Sequence, residues 1–163
     1  MITTYMMNKE LMHVRNLGTY DPPLYTYLCL SCADNFDESW GVGADGNMDQ
    51  NQVKEPSSDT GYQRVRLPNG QGVWKISDNS PIVVTNVNRI AFNEFSTQAG
   101  IARYIFEVAE RRTSYGSGDV PIGEQKLDYI MSFARLEPEV TLYKGMTVFF
   151  NPGDIQFTRT NIQ

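Results

Sequence analysis

Cys29 and Cys32 stand at a C-x-x-C spacing, the first pattern in the chain whose residue types carry chemistry. In redox proteins this pair sits at a helix N-terminus, where the dipole lowers a thiol pKa. Here it lies in Leu24-Tyr25-Thr26-Tyr27-Leu28-Cys29-Leu30-Ser31, a run that reads as a strand. Positions three apart on a strand point to opposite faces. A zinc site needs two further ligands, and the one histidine, His13, is remote in sequence. Two ordinary reduced cysteines are expected.

Asp45-Gly46-Asn47-Met48-Asp49-Gln50-Asn51 puts oxygen-bearing side chains at alternate positions, like the opening of a calcium loop. An EF-hand requires Gly at the sixth position and Glu at the twelfth, and these are Gln50 and Pro56. What remains is an irregular cation site or, the expected reading, a solvated loop. The acidic residues Asp34, Asp37 and Glu38 fall in loop-like sequence, where solvated carboxylates are the default. Nothing places two of them in one cleft with separated pKa values. Ser117, in Tyr115-Gly116-Ser117-Gly118-Asp119, lacks the glycine spacing of a nucleophile elbow. His13 has Leu17 at i+4 and so no paired ligand. No Walker or dinucleotide fingerprint occurs. The sequence therefore assigns no catalytic, cofactor-binding or metal-ligating residue, implies no cofactor, and points away from an enzyme.

The formal net charge of -5 makes the chain a poor match for phosphate backbones or anionic lipid. Arg111 and Arg112, followed by Tyr115, are better read as rim contacts or ion pairs than as a nucleic-acid grip. No apolar run approaches the ~20 residues of a membrane helix. The start, Met1-Ile2-Thr3-Thr4-Tyr5-Met6-Met7, has no basic flank and apolar stretch of a signal peptide, so synthesis in the cytoplasm is expected.

The elements that must carry these residues are mostly short strands. Asn8 to Asn16 reads as a short helix with Asn8 as cap and Gly18 as stop. Pro22-Pro23 leads into the strand at 24–31. Residues 33–61 carry acidic, glycine-bearing and turn-forming sequence without periodicity and read as a long loop. Strand-like runs follow at 62–67, 73–76, 82–87, 89–92 and 102–109. A second loop spans about 110–126. Tyr129 to Leu136 is a strand, Pro138 interrupts it, and 139–142 resumes. Lys144-Gly145 and Asn151-Pro152-Gly153-Asp154 are turns before strands at 146–150 and 155–159. With 163 residues and strands at this density, the expectation is one mainly β domain over 1–163. Its architecture is an antiparallel β-sandwich, jelly-roll or barrel-like, with a short N-terminal helix and long loops.

The order of these features resembles small bacteriophage virion structural proteins of the tail-fibre-like or head-decoration-like type. The resemblance rests on the helix at Asn8 to His13, Tyr20-Asp21-Pro22-Pro23 and the strand Leu24 to Ser31. It continues through Glu55-Pro56-Ser57 with Gly61-Tyr62-Gln63-Arg64-Val65, then Tyr129 to Leu136, Val140 to Phe150 and Gly153 to Thr158. The loops at 33–54 and 111–126 are longer than the group's usual turns. Glu107-Val108-Ala109-Glu110-Arg111-Arg112 replaces a glycine-rich turn.

The resemblance implies a structural component of the particle, made in the host cytoplasm and residing in the virion. Its role would be a portal-proximal ring or adaptor, a capsid decoration or a fibre anchor. Its partners would be portal, capsid, tail or fibre subunits and further copies of itself in a homo-oligomer, with no nucleic acid and no membrane. The alternative is a receptor- or glycan-binding module of a fibre, with Phe36, Trp40 and Tyr115 as stacking platforms. A host-envelope hydrolase is the third reading; it requires carboxylates or a triad gathered in one pocket.

Overall fold

The computed structural model describes residues 25–37, 50–68, 72–77, 82–110 and 128–159. The expected helix at 8–16, the calcium-like residues 45–49, and Trp40, Arg111, Arg112, Tyr115 and Ser117 lie outside these residues, as does nearly all of the 110–126 loop.

The protein is mainly β and its sheets are antiparallel. The strands are β1 (Tyr25–Ser31), β2 (Val65–Pro68), β3 (Trp74–Ile76), β4 (Ile82–Asn86), β5 (Ile90–Ala91), β6 (Gly100–Glu110), β7 (Asp128–Leu142), β8 (Phe149–Phe150) and β9 (Gln156–Arg159). The large sheet has the order β2-β1-β6-β7, a second sheet β3-β4-β9, and β5 pairs with β8. The run at 102–109, whose composition suits helix and strand alike, is the central strand β6. Its β-branched and aromatic residues fit a pleated surface packed on both sides.

Alternation along β1 decides the core. Leu28 and Leu30 join a cluster with Leu67, Phe92, Phe95 and Ile155, where residues near all three sheets meet. Cys29 faces the other way, into a cluster with Val53, Phe106, Val108 and Ile130. Cys32 packs against the first cluster, on the face opposite Cys29, and the two form no disulfide. Burial pushes the Cys32 thiol pKa up, partly offset by the Arg103 guanidinium and a backbone hydrogen bond at Ile101. That is opposite to what a nucleophilic thiol needs.

Two expectations are corrected. Pro138 does not break the strand, because β7 runs continuously through it as an outer strand of the large sheet among the described residues. The ladder absorbs the missing N–H in a bulge, since Ala102 pairs with Val140 and Tyr104 with Arg135, leaving residues 136–139 opposite Arg103 alone. Arg103 fills that gap. It donates to Cys32 O at 3.0 Å and reaches Glu139 and Asp34 at 3.4 Å each.

The second correction concerns the long loop at 33–61, whose latter part is built structure. Residues Gln50–Val53 form one helical turn, α1, and Ser58–Thr60 a 3-10 turn capped by Ser57. Val53 is the reason, because its fully buried side chain anchors the segment on the large sheet. The Ser31 hydroxyl donates to Val53 O at 2.6 Å, and Cys32 N to Lys54 O at 3.0 Å. Gly61 closes the segment with φ +83°, and a Cβ there would stand 2.9 Å from Glu94 O.

Candidate functional site

Two buried polar centres stand out, one closed and one open. The closed centre starts from Glu55-Pro56-Ser57 and Gly61-Tyr62-Gln63-Arg64, which the anchored turn folds onto each other. Arg64 grips the Glu55 carboxylate bidentately, Nε at 3.0 and 3.1 Å and a terminal nitrogen at 2.7 Å. The Tyr62 hydroxyl donates to Glu55 Oε1 at 2.9 Å and accepts from Leu30 N at 3.0 Å. The Tyr62 ring stacks near Phe92 and Phe95, with centroids 6.0 and 6.4 Å away. Burial first, then the nearby Cys29 and Glu55, holds the phenol pKa far above its ordinary value, so Tyr62 serves as a neutral hydrogen-bonding bridge.

The open centre lies on the large sheet. Register puts Leu28, Glu107 and Ser132 in one row across β1, β6 and β7. The row continues a face of buried side chains, and Glu107 is itself only 8% exposed. Ser132 Oγ donates to Glu107 Oε2 at 3.2 Å, the only hydrogen bond this carboxyl makes among the described residues. Thr26 Oγ1 is buried nearby and makes none, though it stands close enough to favour the charged form of Glu107. Desolvation outweighs both hydroxyls and raises the Glu107 pKa.

Glu107 and Ser132 line a cleft of about 550 Å³ between the large sheet and the segment 150–157. Its walls are apolar: Leu28, Ile105, Leu136, Phe150, Ile155 and Phe157. Its remaining charged residues are Glu137, Asp154 and Arg135, the last of which donates to Glu139 at 3.0 Å. Asn86 fixes the far wall. Its buried amide donates to Asn88 O and Asn151 O and accepts from Gly153 N and Ile155 N, at 2.8 to 3.1 Å. All of its hydrogen-bonding capacity is used.

The chain matches no family model and no curated protein sequence.

The structure separates the residues whose types first suggested chemistry. Asp34 is exposed and serves as a salt-bridge partner of Arg103. Phe36 is half-buried, its ring 4.8 to 5.4 Å from those of Phe133, Tyr104 and Phe106. Among the described residues no group of three or more His, Cys, Asp or Glu is placed to hold a metal, and no helix is long and apolar enough to cross a membrane.

Sequence reasoning passed over Glu107, Ser132 and Asn86. One signal was present for the first: a lone carboxylate in Tyr104-Ile105-Phe106-Glu107-Val108-Ala109, a run apolar on both strand faces.

Proposed function

We propose that this protein is a non-enzymatic structural component of a bacteriophage particle, acting through assembly contacts with other virion proteins and with copies of itself. The observation that carries the reading is the closed centre. Glu55-Pro56-Ser57 and Gly61-Tyr62-Gln63-Arg64, central to the likeness with small virion proteins, form one hydrogen-bonded unit tied to the core through Tyr62 in this chain. A motif that folds as a unit is better support for that likeness than scattered matches. We propose further that the large sheet and the smaller sheets are two layers of a sandwich, with the first core cluster between them.

The rigid frame presents apolar groups for contacts. Ile76, Tyr143, Phe149 and Val87 are large and exposed, and Arg89 lies 3.9 Å over the Phe149 ring. Aromatic and Arg side chains are the usual anchors of protein interfaces. Loops at the ends of such a frame serve the same purpose.

The test is mass spectrometry of particles purified from an infected host, together with a reconstruction of those particles. The chain is expected at fixed stoichiometry in a symmetric assembly, and its absence from intact particles overturns the proposal. A ring at the portal, a fibre trimer or a capsid-wide array would place it among the three roles.

A further inference from the structure

We propose that the cleft above Glu107 is a binding site for a primary ammonium group carried on an aliphatic stem, whether a free amine or a lysine side chain. Glu107 is buried among Leu28, Ile105 and Leu136, and its one hydrogen bond comes from a neutral hydroxyl on Ser132. Among the described residues no cation stands against a carboxylate placed there: the one lining base, Arg135, is exposed and paired with Glu139. The void beside it holds about 550 Å³, ample for a stem of several methylenes. Thr26 Oγ1, buried on the same face of the sheet, is a second hydroxyl near enough to Glu107 to favour its charged form.

The lining chooses the sign of the ligand. Glu107, Glu137 and Asp154 stand against the single Arg135. An anionic ligand would meet the carboxylates of Glu137 and Asp154 and a carboxyl whose charging burial already disfavours, and a purely apolar one would leave Glu107 as it is. An ammonium head offers three donors for the carboxylate and the neighbouring hydroxyl, while the apolar walls cover its stem. Burial disfavours the charged form of Glu107 and raises its pKa, and a cation docked against it favours that form, so amine binding lowers the pKa and releases to solvent the proton that the carboxyl holds within its titration range.

Calorimetric titration of the whole protein at neutral pH tests this with n-hexylammonium, Nα-acetyl-lysine methylamide, n-hexanol and hexanoate. Trp74 is a second reporter. Its ring lies 5.4 Å from that of Phe157 in the cleft wall, and a Trp40→Phe background removes the other tryptophan. Hexylammonium is expected to bind at least about tenfold more tightly than hexanol, with hexanoate weakest. Repeated from pH 4.5 upward in buffers of different ionisation enthalpy, the titration should read proton release on amine binding within the titration range of Glu107, which requires no mutation. Glu107→Gln is expected to weaken the amine about tenfold or more, abolish the proton release and leave hexanol unchanged. Binding of the lysine derivative identifies a side chain as a competent source; hexylammonium binding without it identifies a free amine. Equal binding of hexanol and hexylammonium, amine binding without proton release, or no binding by any probe overturns the proposal.

Discussion

Glu55 and Glu107 are both carboxyl groups taken largely out of water, yet their surroundings differ in one decisive respect. Glu55 meets a guanidinium in fork geometry and a phenol whose second lone pair is occupied by a backbone N–H. Glu107 meets one serine hydroxyl and the edge of a cleft. The first arrangement answers the desolvation of the charge with charge-assisted hydrogen bonds and so ties a chain segment to the core. The second leaves the desolvation largely unanswered, and the carboxyl's pKa rises instead. A paired buried carboxylate is a clamp. An unpaired one beside a void is poised to respond to something from outside.

The comparison is sharpest where the clamp is broken. Glu55→Ala should cost about 3 kcal/mol in urea denaturation, since it strips Arg64 of its bidentate partner and the Tyr62 hydroxyl of its acceptor. A double-mutant cycle with Arg64→Ala should show strong coupling between the two; additive losses would mean the pair is not the clamp. Asn86→Ala should cost about 2 kcal/mol by the same measurement, because it orphans the amides of Gly153 and Ile155. Gly61→Ala should cost about 1–2 kcal/mol through its left-handed backbone and the close approach of Glu94 O. A neutral result there would detach the Glu55 segment from the packing argument.

Glu107→Gln is the opposite case: it should change stability by no more than about 1 kcal/mol below the ordinary carboxyl pKa and raise stability at neutral pH, where the unfolded wild-type chain carries an ionised Glu107 that burial disfavours. Its signature is the pH dependence. The folded-state pKa of Glu107 is raised above the ordinary 4.5, so the folded protein holds a proton that the unfolded chain has already lost. Stability is therefore fully present below about the ordinary value and falls as pH rises through the folded pKa. Thermal unfolding of the wild type from pH 4.5 upward should show this decline, and Glu107→Gln should flatten it. Parallel profiles for the two proteins would remove the contrast with Glu55.

Much of the frame was legible in the sequence. Alternation in Leu24 to Ser31 located β1 and set Cys29 and Cys32 on opposite faces, and the glycine turns at 145 and 153 fell where φ is positive. These are local properties: a side-chain period of two, and the steric freedom of glycine. The sequence also showed that Glu55-Pro56-Ser57 and Gly61-Tyr62-Gln63-Arg64 stand close along the chain. It did not show that they meet through a salt bridge, or that Val53 turns an apparent loop into an anchored segment. Strand register alone brought Ser132 to Glu107 across 25 residues of chain, and the approach of β9 to the large sheet made the cleft beside them. Pairing register and the meeting of sheets are long-range choices, made by the burial of whole faces at once. Local pattern could say that Glu107 sits in a strand; only the packed structure decided that it sits there with no cation from the described residues against it.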